Sequence, residues 1–229
     1  AFLAGEVTLE ELIPYSPEWF TQRGIKIYPG RSVLQIAPSE HYITTDSDQK
    51  VRYDRLLLAN GGHPFVPPIE GTSRPGVFTV RSIDDILRIR EYAQGKRSAV
   101  VIGGGLLGLE LARGLRALGL GVTVIEFFPR LLPRQLDAEG AKILTSLIEK
   151  MGIEVIVDAA SEAIVGDGAA SGVRLKDGPI VLGDVVLISA GVRSNVSLAK
   201  EAGLEIGRGV IVDEQMMTSA PDIFAAGDV

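Results

Sequence analysis

An α/β fold around a parallel sheet is what this 229-residue sequence predicts. Three observations predict it. Strand and helix signals alternate from Ser98 to Asp158. Three consecutive glycines, Gly103 to Gly105, separate the first of those strands from its helix. The runs "SAVVIG" and "DVVLISAG" are continuously apolar, as strands covered on both faces are.

The elements follow in order. A short helix is expected over 16–23, around Trp19 and Phe20. Val33, Ile36, Ile43 and Val51 then fall in short apolar runs broken by turn formers, the pattern of small antiparallel strands. "DRLLLANGG" reads as a buried strand ending in glycine. "HPFVPPIEGTSRPG" is too rich in Pro and Gly for regular structure and reads as a linker between domains. Ser82 is a plausible N-cap for a helix with apolar residues at 83, 86, 87 and 89. "SAVVIG" is a strand, "LLGLELARGLRALG" a helix stopped by Gly119, and "GVTVIE" the next strand. A second helix is capped by Asp137 and stopped by Gly152, and "IEVIVD" is the third strand. Short strands near 162–165, 172–175 and 179–182 form a β-meander before "DVVLISAG".

Composition narrows the function. The net charge is -6, which argues against nucleic acid or an anionic membrane as the main partner. No apolar run is long enough to span a bilayer, and the acidic start lacks the pattern of a signal peptide. The chain has no cysteine and two distant histidines, so thiolate or histidine-rich metal sites are not expected, and a cytoplasmic home is the default. His41 and His63 read as structural, and Asp84 and Asp85 as the first turn of a helix.

Gly103, Gly105 and Gly108 fit G-x-G-x-x-G. The motif follows a strand and opens a helix, and Glu126 ends the next strand 18 residues after Gly108. That is the arrangement a dinucleotide needs. Gly103 permits the tight turn, Gly105 lets backbone approach a pyrophosphate, and Gly108 lets helix and strand pack closely. The N–H groups of Leu106 and Leu107 would face the phosphate, with the helix dipole behind them. Glu126 would accept from the adenosine ribose hydroxyls and repel a 2′-phosphate, which favours NAD over NADP. Arg130 and Arg134 could offset that repulsion; the preferred reading of both is a solvated loop.

"GGGLLGLELA", "VIE" and "PRLLPRQLD" together resemble the pyridine nucleotide-disulfide oxidoreductase superfamily, nearest to rubredoxin reductases and the flavin domain of NADH-dependent nitrite reductases. The likeness runs over nearly the whole chain. "YDRLLLANGG" resembles the family's Y-D-x-L-x-x-A-T-G, with Asn60 in place of Thr. "SAGVRSN" resembles A-x-G-x-x-P-N, with Ser194 in place of Pro, and "TSAPDIFAAGDV" resembles the flavin motif T-S-x-P-x-I-x-A-x-G-D. The resemblance implies a Rossmann-like NAD-binding domain at 81–190, inserted in a partial FAD-binding domain made of 1–80 and 191–229. It implies flavin or crossover positions at Val33, Ala59, Gly61, Arg81, Gly191 and Asp228. Glu110 has two readings: the family glutamate beside the nicotinamide, or an acid complementing the helix dipole.

The activity implied is hydride transfer from NADH to FAD and onward to an acceptor, either a redox protein or a fused redox domain. Rubredoxin, ferredoxin, a nitrite-reductase sirohaem centre and oxygen all suit. Such enzymes open with their own glycine motif for FAD, and this chain has no second copy. Both ends therefore read as cut. The alternative expectation is an NAD-binding module inactive without its main FAD anchor.

Overall fold

The computed structural model describes residues 1–176 and 178–229. Along the chain run α1 (Pro17–Thr21), β1 (Val33–Ala37), β2 (Tyr42–Thr45), β3 (Lys50–Arg52), β4 (Leu56–Leu58), β5 (Gly62–Pro64) and β6 (Val77–Thr79). Next come α2 (Ile83–Tyr92), β7 (Ser98–Ile102), α3 (Leu106–Ala117), β8 (Gly121–Ile125), α4 (Ala138–Lys150) and β9 (Ile153–Ile156). The rest is β10 (Ser161–Val165), β11 (Gly172–Leu175), β12 (Ile180–Leu182), β13 (Val185–Ile188), β14 (Val192–Ser194), α5 (Ser197–Glu201) and β15 (Ile223–Ala225). Two compact units result: Ala1–Ile13 with Pro64–Gly191, and Pro14–His63 with Val192–Val229.

The larger unit is a parallel sheet in the order β6-β13-β7-β8-β9. Its strands are apolar throughout because both faces are covered. Ala99 and Val101 of β7 join one core with Leu109, Leu115 and Ile148 from the helices. Val100 and Ile102, pointing the other way, join a second core with Ile164, Val173 and Leu175 of the meander. Each fully buried Val or Leu contributes about 1.5–3 kcal/mol. The meander β10-β11-β12 is antiparallel and takes the place of a second helical layer.

Two sequence expectations change here. Residues 64–76 are not a linker but an ordered strap of the larger unit. Glu70 bonds on both sides to the meander, accepting from the Ile164 N–H at 2.7 Å and donating to the Glu162 carbonyl at 3.3 Å. Arg74 donates to the Ile164 and Gly166 carbonyls at 3.1 and 2.9 Å. These bonds satisfy the backbone where Pro forbids a longer ladder. The second change is β6, a strand too short to be legible after Pro75-Gly76, which pairs with β13 at the sheet edge.

Helix ends follow their caps. The Ser82 side chain accepts from the Asp85 N–H and the Asp85 side chain accepts from the Ser82 N–H, a capping box for α2. Burial pushes the Asp85 carboxyl up, but donors from the Ser82 and Arg81 backbone, the Ser82 hydroxyl and Arg88 bring it below the usual range. Asp137 caps α4 through the Gly140 N–H at 2.8 Å. Gly119 and Gly152 end α3 and α4 with φ of 92° and 78°.

In the smaller unit, β1-β2-β3 form an antiparallel sheet and β4 pairs with β15 in parallel. Their core holds Ile36, Leu58, Ala199, Leu204, Ile223 and Ala225. Among the described residues no helix is long and apolar enough to cross a membrane.

Asp184 ties the start of β13 to the start of β7. Its carboxylate accepts from the Arg97 N–H, the Ser98 N–H and the Ser98 hydroxyl at 3.0, 3.1 and 3.0 Å. The Arg97 bond, opposed by burial and aided by Ser98, holds its pKa below the ordinary value. A lowered pKa stabilises the fold above the ordinary Asp range of about 3.9, and the contribution is lost as pH falls through the folded value. Asp184→Ala is expected to cost about 1–3 kcal/mol in urea unfolding at neutral pH, because it strands three donors. The gap between variant and parent should close as the medium is acidified.

Candidate functional site

The glycine turn lies where the sheet reverses its winding. The chain passes from β7 outward through β8 and β9, then returns to place β13 on the other side of β7. In open α/β sheets, ligands bind at the carboxyl ends of the strands at such a switch point. Gly103 to Gly105 leave β7 there, beside Ser189 at the end of β13.

Each glycine has a separate reason. Gly103 has φ of 117°, and a Cβ on it would run into the Ser189 carbonyl. A Cβ on Gly108 would strike the Gly103 carbonyl, so only glycine lets α3 sit this close to β7. A Cβ on Gly104 would come within 2.5 Å of the Leu131 side chain. Gly105 differs, with φ of -79° and nothing within 4 Å of its added Cβ. It is the N-cap of α3 with no side-chain cap, so the first N–H groups of that helix have no helix carbonyl to bond. Leu106 and Leu107, which follow Gly105, are 63% and 46% exposed.

Glu126 is only 6% exposed. One carboxylate oxygen accepts from the Gly104 N–H at 2.6 Å, and the other accepts from the Phe128 N–H at 2.8 Å. Two of its roughly four acceptor positions are thus taken by backbone, which fixes the group and leaves capacity for two hydroxyls. Phe127 and Phe128 follow it as an exposed pair in edge contact at 5.4 Å.

Arg130 is half-buried rather than solvated. It donates to the Leu136 and Pro133 carbonyls at 3.2 and 3.1 Å. Arg134 is exposed. Glu110 is exposed one turn beyond Leu106 on the same side of α3, and among the described residues none bonds its carboxylate. Arg81 presents an exposed side chain just before α2, its N–H bonded to Asp85 at 2.9 Å. Gly191 has φ of 119°, and its carbonyl accepts from the Phe65 N–H at 2.9 Å.

The smaller unit gathers a second group. Ala59 and Gly61 follow β4, and Asp228 follows β15, so all three lie beyond the carboxyl ends of two paired parallel strands. The Ala226 N–H donates to the Leu58 carbonyl at 3.0 Å, which holds the two loops side by side. Val33, at the start of β1, is 38% exposed and not strand core. Asn60 donates to the Asn195 carbonyl and Asn195 to the Asn60 carbonyl, each at 2.9 Å. His63 meets the Asn195 side chain at 2.7 Å, a structural use of that histidine. His41 occupies a left-handed turn with φ of 52°, against Tyr53.

Sequence reasoning passed over Gly104, Leu131 and Leu132, which complete the turn. The signal for Gly104 was the run of three glycines, one more than the motif needs.

Two substitutions separate packing from openness. Gly108→Ala forces a Cβ against backbone and is expected to cost about 3 kcal/mol or more, seen as a lowered Tm. Gly105→Ala meets open space. Its cap penalty and its gain from a stiffer unfolded chain are each about 1 kcal/mol or less and oppose one another, so its Tm should stay near the parent's.

Residues 8–229 match the family model described as pyridine nucleotide-disulphide oxidoreductase. The chain is 37% identical to the nitrite reductase [NAD(P)H] of Bacillus subtilis over 99% of its own length and 28% of that protein. It is 33% identical to the rubredoxin-NAD(+) reductase of Pseudomonas putida, over 100% of itself and 60% of the relative. Among solved structures, the ferredoxin reductase for the CYP199A2 system of Rhodopseudomonas palustris superposes with a TM-score of 0.94 at 30% identity, covering 99% of this chain and 56% of that one. The chain therefore spans between 28% and 60% of the length of these proteins. With 222 of its residues inside the family model, it belongs to the pyridine nucleotide-disulphide oxidoreductase family.

Proposed function

We propose that this chain binds NADH at the glycine turn and serves as the nicotinamide part, with some of the flavin part, of an FAD-dependent NAD(P)H oxidoreductase. The family's enzymes use FAD and NAD(P)H. The single observation that carries the reading is the bare turn at the switch point. Gly105 is open, the first N–H groups of α3 lack partners, and a fixed carboxylate stands at the next strand end. A pyrophosphate is the group those donors suit. Glu126 then takes the ribose hydroxyls with its remaining lone pairs.

The preference for NADH over NADPH rests on three features. Glu126 is a buried carboxylate where a 2′-phosphate would arrive. The two residues that follow Glu126 are the exposed Phe127 and Phe128, not cations. Arg130 already bonds two carbonyls of its own loop. Glu110, exposed on α3, is assigned to the nicotinamide end by family likeness.

For the flavin, Ala59, Gly61 and Asp228 at the ends of β4 and β15 form a fitting group, as a carboxylate there can accept from ribityl hydroxyls. Val33 and Arg81 are assigned to the same cofactor by family likeness. When bound, the flavin supplies an acceptor for the nicotinamide hydride and passes electrons on. The protein's share is to hold both cofactors in place; no acid or base of this chain is needed for hydride transfer. The compact units move the expected boundaries: Pro64–Gly191 with Ala1–Ile13 is the nicotinamide part and Pro14–His63 with Val192–Val229 the flavin part, in place of 81–190 against 1–80 with 191–229. The electron acceptor proposed is a small redox protein or a redox centre fused to the same protein, in keeping with relatives named for nitrite, rubredoxin and ferredoxin.

Calorimetric titration tests the binding claim. NADH is expected to bind at least about tenfold tighter than NADPH, a difference of roughly 1.4 kcal/mol. Gly105→Ala should weaken NADH by at least about tenfold while keeping its Tm, because the added Cβ occupies the approach to the pyrophosphate. Equal binding of the two nucleotides would refute the role given to Glu126. The activity is tested separately by NADH-dependent reduction of ferricyanide by the full-length protein with added FAD; absence of turnover would refute it.

A further inference from the structure

The stretch "PRLLPRQLD", residues 129–137, carries family likeness, but the site as described gives it no task. Its geometry supplies one. The Leu132 N–H donates to the Gly104 carbonyl at 3.2 Å, while the Gly104 N–H donates to Glu126 at 2.6 Å. The second glycine is thus held on both sides of its residue. Leu131 is fully buried in the core with Leu109 and Leu115 and fills the space beneath Gly104.

Leu132 does this in a strained conformation. Its φ is 46°, in the left-handed region that a leucine adopts at a cost of about 1–2 kcal/mol. Strain of that kind persists only where surroundings over-determine it. Here the surroundings are a closed turn. The Gln135 and Leu136 N–H groups both donate to the Leu132 carbonyl at 3.0 Å. Arg130 spans the turn, binding the Pro133 and Leu136 carbonyls with one guanidinium. A planar fork can do this with two donors at once; an ammonium cannot match it.

We propose that the 129–137 loop braces the glycine turn, and that Arg130 is a positioning residue for dinucleotide binding that acts through Leu132 and Gly104 without touching the ligand. This rests on the reading that the glycine turn binds NADH. The brace sets the Gly104 peptide, and Gly104 sets the line of N–H groups from Gly105 into α3. Its effect falls on the pyrophosphate shared by NADH and NADPH, so both nucleotides depend on it equally. An arginine that read a 2′-phosphate would affect NADPH alone.

The experiment compares the parent chain with Arg130→Gln, Arg130→Lys and Arg134→Gln. Amide hydrogen exchange without ligand reads the brace directly. Arg130→Gln should speed exchange at Leu132 and Gly104 and leave the β8 amides unchanged. Calorimetry then reads the consequence. Arg130→Gln should weaken NADH and NADPH alike by about tenfold, with their ratio unchanged. Arg130→Lys keeps the charge but not the fork and should fall between Gln and the parent. Arg134→Gln should bind as the parent does. If Arg130→Gln fails to fold, Arg130→Lys alone decides, by the same exchange and the same ratio. Unchanged exchange at Leu132, unchanged affinity, loss of NADPH affinity alone, or a lysine variant equal to the parent would each overturn the brace. Absence of binding by the parent would instead overturn the nucleotide reading itself, and the exchange result would stand apart from it.

Discussion

The backbone at Gly104 is held from two directions by groups that come from elsewhere in the chain. Its N–H is bound by Glu126 at the end of β8, and its carbonyl by Leu132 in the loop that follows. That pair of bonds constrains everything nearby. It requires β8 beside β7, a loop that returns over the turn, and three glycines without side chains where the two strands and α3 converge. A parallel sheet with a helix after each strand satisfies those requirements through its ordinary geometry.

The same convergence explains why glycines with different surroundings stand side by side. Gly103, Gly104 and Gly108 are glycine because neighbouring protein atoms leave no space for a Cβ. Gly105 is glycine with space to spare. Packing accounts for the first three and not for the fourth. Openness beside the uncapped start of α3 is the feature that sterics leave unexplained, and it links the backbone to the proposed nucleotide site.

Much of this was legible in the sequence, and the limits have physical causes. The alternation of strands and helices, the caps at Ser82 and Asp137 and the stops at Gly119 and Gly152 follow from local chemistry, which is written in neighbouring residues. The strap at 64–76 was misjudged because its order comes from the meander, some 90 residues away in sequence, and Pro and Gly signal only the absence of local regularity. Arg130 was expected in a solvated loop for the same reason: charge predicts exposure, whereas the carbonyls that bind it become available only once the turn closes. Asn60 departs from the family pattern, yet its amide finds Asn195 across 135 positions of sequence, a pairing no local pattern announces.

The most direct test of the nucleotide reading uses ADP-ribose, which carries the pyrophosphate and adenosine without the nicotinamide. Titrating it into the isotopically labelled chain and following each backbone amide by NMR reads the turn itself. The largest shifts should fall on Gly105, Leu106 and Leu107, with smaller ones at Gly104 and Phe128 through Glu126. Shifts confined to other parts of the chain, or none at saturating ligand, would contradict the account and leave the open glycine turn as a packing feature alone.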